Sequence, residues 1–240
     1  MTPNLIYMEI RILQLLEGAK EAEGLTVIID VFRAFSVACY VMNNHAKEIL
    51  PVGDIDYAYE LKRKNPEYIL IGERDDRKPE GFDFGNSPTQ VQDFDFTGKT
   101  VVHTTSAGTQ GLVNSVNADE RITGSFVNAP AIVQYIRLKN PSLVSLVCMG
   151  YAMKYPTEED TFCAEYIKTC LEKNIADFAL MKEVIRKTSA KRLFVEENQS
   201  FSPASDFDLC TDLGRFNFVL KAEEKNNLLK LSKLEIPIVK

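Results

Sequence analysis

The stretch TVIIDVFRAFSV, residues 26–37, decides the fold. Val27, Ile28 and Ile29 form an apolar run that ends on a carboxylate, Asp30, and such a run reads as a strand buried on both faces. A turn follows, then a helix carrying Arg33 and Ser36. In α/β proteins, ligands bind at the carboxyl ends of parallel strands, where the next helix presents free N–H groups. An acid and a base so placed can hold a metal and an anionic substrate together. Taken alone, Asp30 also reads as a helix cap, and Arg33 as a solvated helix residue or a partner for Glu73.

The same pattern recurs twice downstream. In ILIGERDDRKPEGFDFGNSP, residues 69–88, an apolar strand again ends on an acid beside a base, Glu73 and Arg74. Its loop closes on Asn86, Ser87 and Pro88, a helix start with Ser87 as cap and Pro88 at the first helical position. In KTVVHTTSAGT, residues 99–109, a strand runs into a turn rich in hydroxyls and glycine. Thr104, Thr105, Gly108 and Thr109 there can offer hydroxyls and backbone N–H groups to a phosphate or sulfonate. They also fit ordinary turn chemistry.

Extended outward, the chain alternates strands and helices. Strands are expected at 5–10, 27–31, 48–52, 68–72, 99–104, 121–125, 143–149 and 216–220. Helices are expected at 34–43, 55–64, 88–93, 109–116, 130–139, 158–173 and 177–188. This alternation predicts an α/β fold, a mostly parallel sheet covered by helices in α/β/α layers. Residues 1–240 read as one domain or two closely packed lobes, with a soft boundary at 118–130. The helix from 158 is the best marked, because Glu158, Glu159 and Asp160 fill its first turn, where negative charge is favoured.

Bulk properties narrow the class. A net charge of -6 argues against nucleic-acid binding through a basic surface. No apolar run reaches the length of a membrane span, and no basic stretch leads into an apolar core near the start. Five scattered cysteines without metal spacing suit reduced thiols. A cytoplasmic location is the expectation. His45 reads as a surface or capping group, and His103, at a strand end, as structural. Cys148 reads as a buried small hydrophobe.

Rival phosphate chemistries fail on spacing. The haloacid-dehalogenase pattern needs a second Asp at position 32, which is Phe32. A cysteine phosphatase needs Arg six residues beyond Cys148, where Lys154 stands. Gly98, Lys99 and Thr100 imitate the end of a phosphate-binding loop but precede their strand.

Four motifs in order then carry a resemblance: Asp-Val-x-Arg-Ala-x-Ser from Asp30, Gly-Glu-Arg from Gly72, Gly-Phe-Asp-x-Gly-Asn-Ser-Pro from Gly81, and the Thr-Thr turn from Thr104. With Val147-Cys148-Met149-Gly150 and the acids of 159–160, the chain resembles the 2-phosphosulfolactate phosphatase family. The likeness is close over 26–109, looser to 164, and weak beyond. The resemblance implies a Mg²⁺-dependent phosphatase of a small sulfonated phosphoester, on the route to coenzyme M. It implies Asp30, Glu73 and Asp160 as metal ligands and Asp30, Glu159 and Asp160 as catalytic carboxylates, with Glu159 available as general base. Substrate-binding residues are then Arg33, Arg74, Asn86, Ser87, Thr104, Thr105, Gly108 and Thr109. The chain departs from the pattern in the extra residue of 104–109, in Asp75 and Asp76, and in Glu165 where glycine is expected. Two alternatives stand beside it: a phosphatase of another small phosphorylated acid, and a non-catalytic anion-binding or regulatory protein. A homodimer would suit any of them. The acidic segment around Asp206 and Asp208 has no role at this level.

Overall fold

The computed structural model describes residues 8–226 and 228–237. Among the described residues nine strands form one sheet: β1 (Glu9–Gln14), β2 (Gly24–Ile29), β3 (Glu48–Pro51), β4 (Ile69–Gly72), β5 (Thr100–Thr104), β6 (Ala118–Gly124), β7 (Leu143–Cys148), β8 (Phe218–Lys225) and β9 (Leu228–Glu235). Their order is β1-β7-β2-β6-β8-β9-β3-β5-β4. A parallel block, β1-β7-β2-β6, and a second, β3-β5-β4, are joined by the antiparallel hairpin β8–β9. The mostly parallel α/β architecture expected from the sequence is therefore present.

The hairpin has a geometric consequence. Three antiparallel junctions separate the blocks, β6 with β8, β8 with β9, and β9 with β3. In a flat sheet this odd number of reversals would send the carboxyl ends of β2 and β4 to opposite edges. They meet instead: a Cβ on Gly108, just beyond β5, would stand 2.7 Å from Asp30 Oδ2, just beyond β2. The sheet must therefore coil, as twisted sheets do, and the blocks close around a common interior.

The core follows that geometry. Helix α2 (Ala34–Asn43) buries Phe35, Val37, Ala38, Tyr40 and Val41, and a helix apolar all round must be enclosed on all sides. It packs in one apolar cluster with Ile28, Val147, Ile49, Ile71 and Val101, drawn from both blocks. Successive strand residues alternate faces, so Val27 and Ile29 point outward to the helices α6 (Ala129–Lys139) and α7 (Glu158–Leu171). Leu70 and Val102 likewise point outward to α3 (Ile55–Lys64).

Several boundaries differ from expectation. The first strand runs Glu9–Gln14 rather than 5–10, and residues 5–7 of that expectation lie outside the described residues. A short helix, α1 (Leu15–Glu21), escapes the sequence reading because Gly18 interrupts it; a Cβ there would meet Leu13 at 2.9 Å. The strand expected at 216–220 is the hairpin strand Phe218–Lys225, and its partner β9 is absent from the expected strands. The exposed half of β8, Glu223, Glu224 and Lys225, carries too little apolar pattern to read as strand. The remaining helices are α4 (Pro88–Val91), α5 (Gly108–Asn114), α8 (Phe178–Lys187) and α9 (Ser205–Cys210). No helix among the described residues is long and apolar enough to cross a membrane.

Candidate active site

Asp30 ends β2 and carries two duties on its two oxygens. Oδ1 accepts the Ala34 N–H at 3.1 Å and its backbone carbonyl accepts the Phe35 N–H, so Asp30 satisfies first-turn donors of α2 although the N-cap position itself is Arg33. Oδ2 has no hydrogen-bond partner among the described residues, and Asp30 lines a pocket of about 90 Å³. Only 5% of Asp30 is exposed. Burial pushes its carboxyl up to about 7, against the Ala34 N–H; neighbouring Glu73 raises it further and Arg192 lowers it.

Around Asp30 the pocket gathers Glu73, Asp75, Asp76, Asn86, Ser106, Gly150, Tyr151, Lys154 and Arg192. Glu73 is held by the Ser106 N–H at 2.6 Å, the Ser106 hydroxyl at 3.1 Å and the Asp76 N–H at 3.1 Å. Asp75 and Asp76 have φ of 51° and 63° and lie between the mutually bonded backbones of Arg74 and Arg77. Asp tolerates this left-handed region better than most residues, which accounts for acids in that tight turn. The Asp76 carboxylate then accepts the Tyr151 hydroxyl at 2.7 Å and pairs with Arg192 at 3.1 Å.

Asp160, expected as a metal ligand, faces elsewhere. Its Oδ1 accepts the Val31 N–H and its Oδ2 the Gly150 N–H, each at 2.8 Å. Both oxygens thus clasp the loops after β2 and β7 together. Burial, then Asp30 and Glu159, raise its carboxyl, against these two donors. Glu159 sits 3.8 Å from Arg192 Nη2, and its Oε2 is buried without a partner. It stands behind Arg192 rather than on the pocket wall. Among the described residues, no three carboxylate, imidazole or thiol groups close on one point. A hard cation that keeps most of its waters needs only one or two carboxylates. Asp30 Oδ2 with Glu73, flanked by Asp75 and Asp76, fits that donor set, and Asp160 does not join it.

The expected substrate-binding residues divide. Asn86 lines the pocket, and its Oδ1 lies 3.2 Å from His103 Nε2. Burial pulls His103 down to about 4, so the ring is neutral near pH 7 and can donate Nε2–H to Asn86. Gly108 abuts Asp30 directly. Arg33 is 1% exposed and pairs with Asp206 at 2.7 Å, also donating to the Phe201 carbonyl at 2.9 Å. Asp206 further accepts the Ser87 hydroxyl and both the N–H and hydroxyl of Thr89. Arg33, Ser87 and Asp206 thereby tie α2, α4 and α9 into one buried polar knot behind the pocket. Arg74 reaches away, to the carbonyls of Glu73 and Gly53 and to Thr104 Oγ1. Thr105 and Thr109 bond to one another inside the turn. A larger groove of about 1160 Å³ opens beyond Arg74, but Asp30 and Glu73 do not line it.

The pocket's cations, Lys154 and Arg192, carry no sequence signal of the kind that marks Asp30. Neither sits at a strand end with an acid beside it. Arg192 lies on an isolated 3-10 segment, Ser189–Phe194, late in the chain. Burial works to lower its pKa, and Glu159 and Asp76 outweigh that and raise it.

Comparison with known proteins places the chain in a family. Residues 11–225 match the sequence model of the family described as 2-phosphosulpholactate phosphatase. A protein of Bacillus subtilis named "Probable 2-phosphosulfolactate phosphatase" is 30% identical over 216 residues, covering 88% of this chain and 92% of that protein. A Thermotoga petrophila protein of the same name is 33% identical over 206 residues, 80% of this chain and 86% of its own length. Another, from Caldicellulosiruptor saccharolyticus, is 39% identical over 162 residues, 66% of each chain.

Proposed function

The chain belongs to the 2-phosphosulfolactate phosphatase family, and we propose that it hydrolyses the phosphomonoester of a small anionic 2-hydroxy acid, 2-phosphosulfolactate being the first candidate, with Mg²⁺ as cofactor. One observation carries this reading. The unshared Oδ2 of Asp30 belongs to a small pocket whose walls carry further carboxylates and two cations.

Asp30 and Glu73 would hold the ion, and when bound it would neutralise charge on the phosphoryl oxygens. The residues supply the rest. Asp30 keeps Oδ1 on the Ala34 N–H and has only Oδ2 free for the ion, so its part is to hold and orient rather than to take a proton. Asn86 lines the pocket with its Oδ1 on His103, which leaves its Nδ2 hydrogens to be offered to the anion. Arg192, fixed by Asp76 and by the Phe32 carbonyl at 3.1 Å, brings a guanidinium to the wall facing Asp30. Such preorganised donors stabilise transferring phosphoryl groups without having to reorganise during the reaction. Asp160 acts through position, since it fixes the loops that carry Val31 and Gly150.

The test is phosphate release from 2-phosphosulfolactate and a set of phosphorylated 2-hydroxy acids, with Mg²⁺ and with chelator, for wild type and Asp30→Asn. Metal-dependent release lost in the variant is expected, and the preferred ester identifies the substrate. Absence of release from every ester in Mg²⁺ refutes the assignment.

A further inference from the structure

We propose that Lys154 is the residue that selects a second acidic group on the substrate, a carboxylate or sulfonate carried beside the phosphoester; this rests on the phosphatase reading above. The pocket wall carries two cations, and they are not equivalent. Arg192 is already engaged: Nη1 with Asp76 at 3.1 Å, Nη2 with the Phe32 carbonyl at 3.1 Å and Glu159 at 3.8 Å, and its plane 4.9 Å over the Tyr151 ring. Lys154 lines the same pocket, yet among the described residues its ammonium makes no ion pair. An ammonium left unpaired in a pocket lined by Asp30, Glu73, Asp75 and Asp76 stands where an anion from outside can take it.

Position assigns that anion. Asp30 is 5% exposed and lies at the floor, whereas Lys154 is exposed and lies at the rim. An ester whose phosphoryl group reaches the floor therefore leaves its remaining acid at the rim, beside Lys154. The rim is also rigidly built. Tyr151 N–H donates to the Tyr155 carbonyl at 3.0 Å and Lys154 N–H to the Tyr151 carbonyl at 2.9 Å. Between them Ala152 and Met153 take φ of 49° and 59°, a tight turn of the hairpin type. Asp160 anchors its start through Gly150 N–H, and the Tyr151 hydroxyl bonds across the pocket to Asp76. The Lys154 backbone is thus fixed against the floor while its stem stays free to meet a ligand.

Phospholactate and isopropyl phosphate form a matched pair, differing only by carboxylate against methyl. Their binding to the full chain is measured by calorimetry in chelator, where no turnover is required, for wild type, Lys154→Met and Lys154→Arg. Wild type is expected to prefer phospholactate. Lys154→Met should weaken phospholactate by about tenfold, the scale of one charge-assisted hydrogen bond, leave isopropyl phosphate unchanged, and be rescued by Lys154→Arg. Equal weakening of both esters, no change in either, or no preference of wild type for phospholactate, absence of binding included, overturns the proposal. If the binding preference holds while no ester, 2-phosphosulfolactate included, is hydrolysed in Mg²⁺, the phosphatase reading fails and Lys154 remains the residue that selects the second acid of a bound ligand.

Discussion

Replacing Asp30 with Asn should make the protein more stable at neutral and alkaline pH while removing its activity. The cause is the burial that lifts the carboxyl to about 7 from an ordinary value near 3.8. A tenfold weaker acid in the folded state corresponds to about 1.36 kcal/mol, so the ionised Asp30 costs that state on the order of 4 kcal/mol at most. The sign follows from proton uptake. Below about pH 4 both folded and unfolded carboxyls are protonated, and the group imposes no penalty. Between about 4 and 7 the unfolded carboxyl ionises first, and wild-type stability falls by roughly 1.4 kcal/mol per pH unit. Above about 7 both forms are ionised and the loss is complete. Asn does not titrate, is close in shape, and still presents an oxygen to the Ala34 N–H.

The assay is urea unfolding of both proteins in chelator across about pH 4 to 8.5. The difference between them matters, because titrations that do not interact with Asp30 cancel in it, and the carboxyl of Asp160, raised in part by Asp30, adds to the gap in the same direction. The gap should open from near zero at the acid end to a few kcal/mol above about pH 7. Added Mg²⁺ should close part of it by stabilising wild type alone, since a ligand that binds only the folded state adds to its stability. A variant no more stable than wild type above about pH 7, or a gap that does not change with pH, would refute the burial argument.

Three further outcomes follow from the geometry. Asp206→Ala leaves the buried Arg33 guanidinium uncompensated and should cost about 3–5 kcal/mol in denaturant unfolding; a loss below about 1 kcal/mol would show that the knot is already hydrated. Gly108→Ala would place a methyl 2.7 Å from Asp30 Oδ2 and 2.8 Å from the Ala34 Cβ. It should lower kcat far more than a surface substitution and cost roughly 1–3 kcal/mol of stability; unchanged kcat would mean that Asp30 is free to move. His103→Gln should raise KM while leaving the pH–rate profile unchanged in shape, because burial holds the ring neutral, with a pKa near 4. A limb of that profile lost in the variant would place His103 in proton transfer instead.

The parts of the site that sequence made legible are local ones. Asp30, Glu73 and Gly108 each sit at a strand end within a few residues of the apolar run that identifies it, so periodicity and turn chemistry locate them together. What those residues bond to is not local. The Arg33 fork could be read as suited to phosphate, but its partner Asp206 lies 173 positions away, and only the fold shows that this charge is already taken. Asp160 reads as a first-turn acid or a metal ligand on sequence grounds; the two backbone N–H groups it receives come from loops 129 and 10 positions distant. Asp76 looks like surplus negative charge beside an anion site until Arg192, 116 positions on, is placed against it.

The coiled sheet explains why these distant partners converge. The hairpin β8–β9 reverses the sense of pairing between the two parallel blocks, so their carboxyl ends can share one site only if the sheet curls. That hairpin carries no pocket residue and had no motif to announce it. Yet it fixes how β2 with Asp30 confronts β4 with Glu73, and the buried α2 between them completes the enclosure. The curl gathers several carboxylates into a small pocket, and their mutual repulsion is offset by Arg192 alone among the engaged cations. A pocket so short of positive charge favours a ligand pair in which a cation accompanies the anion, and this is the electrostatic reason for expecting metal and phosphoester to bind more tightly together than apart.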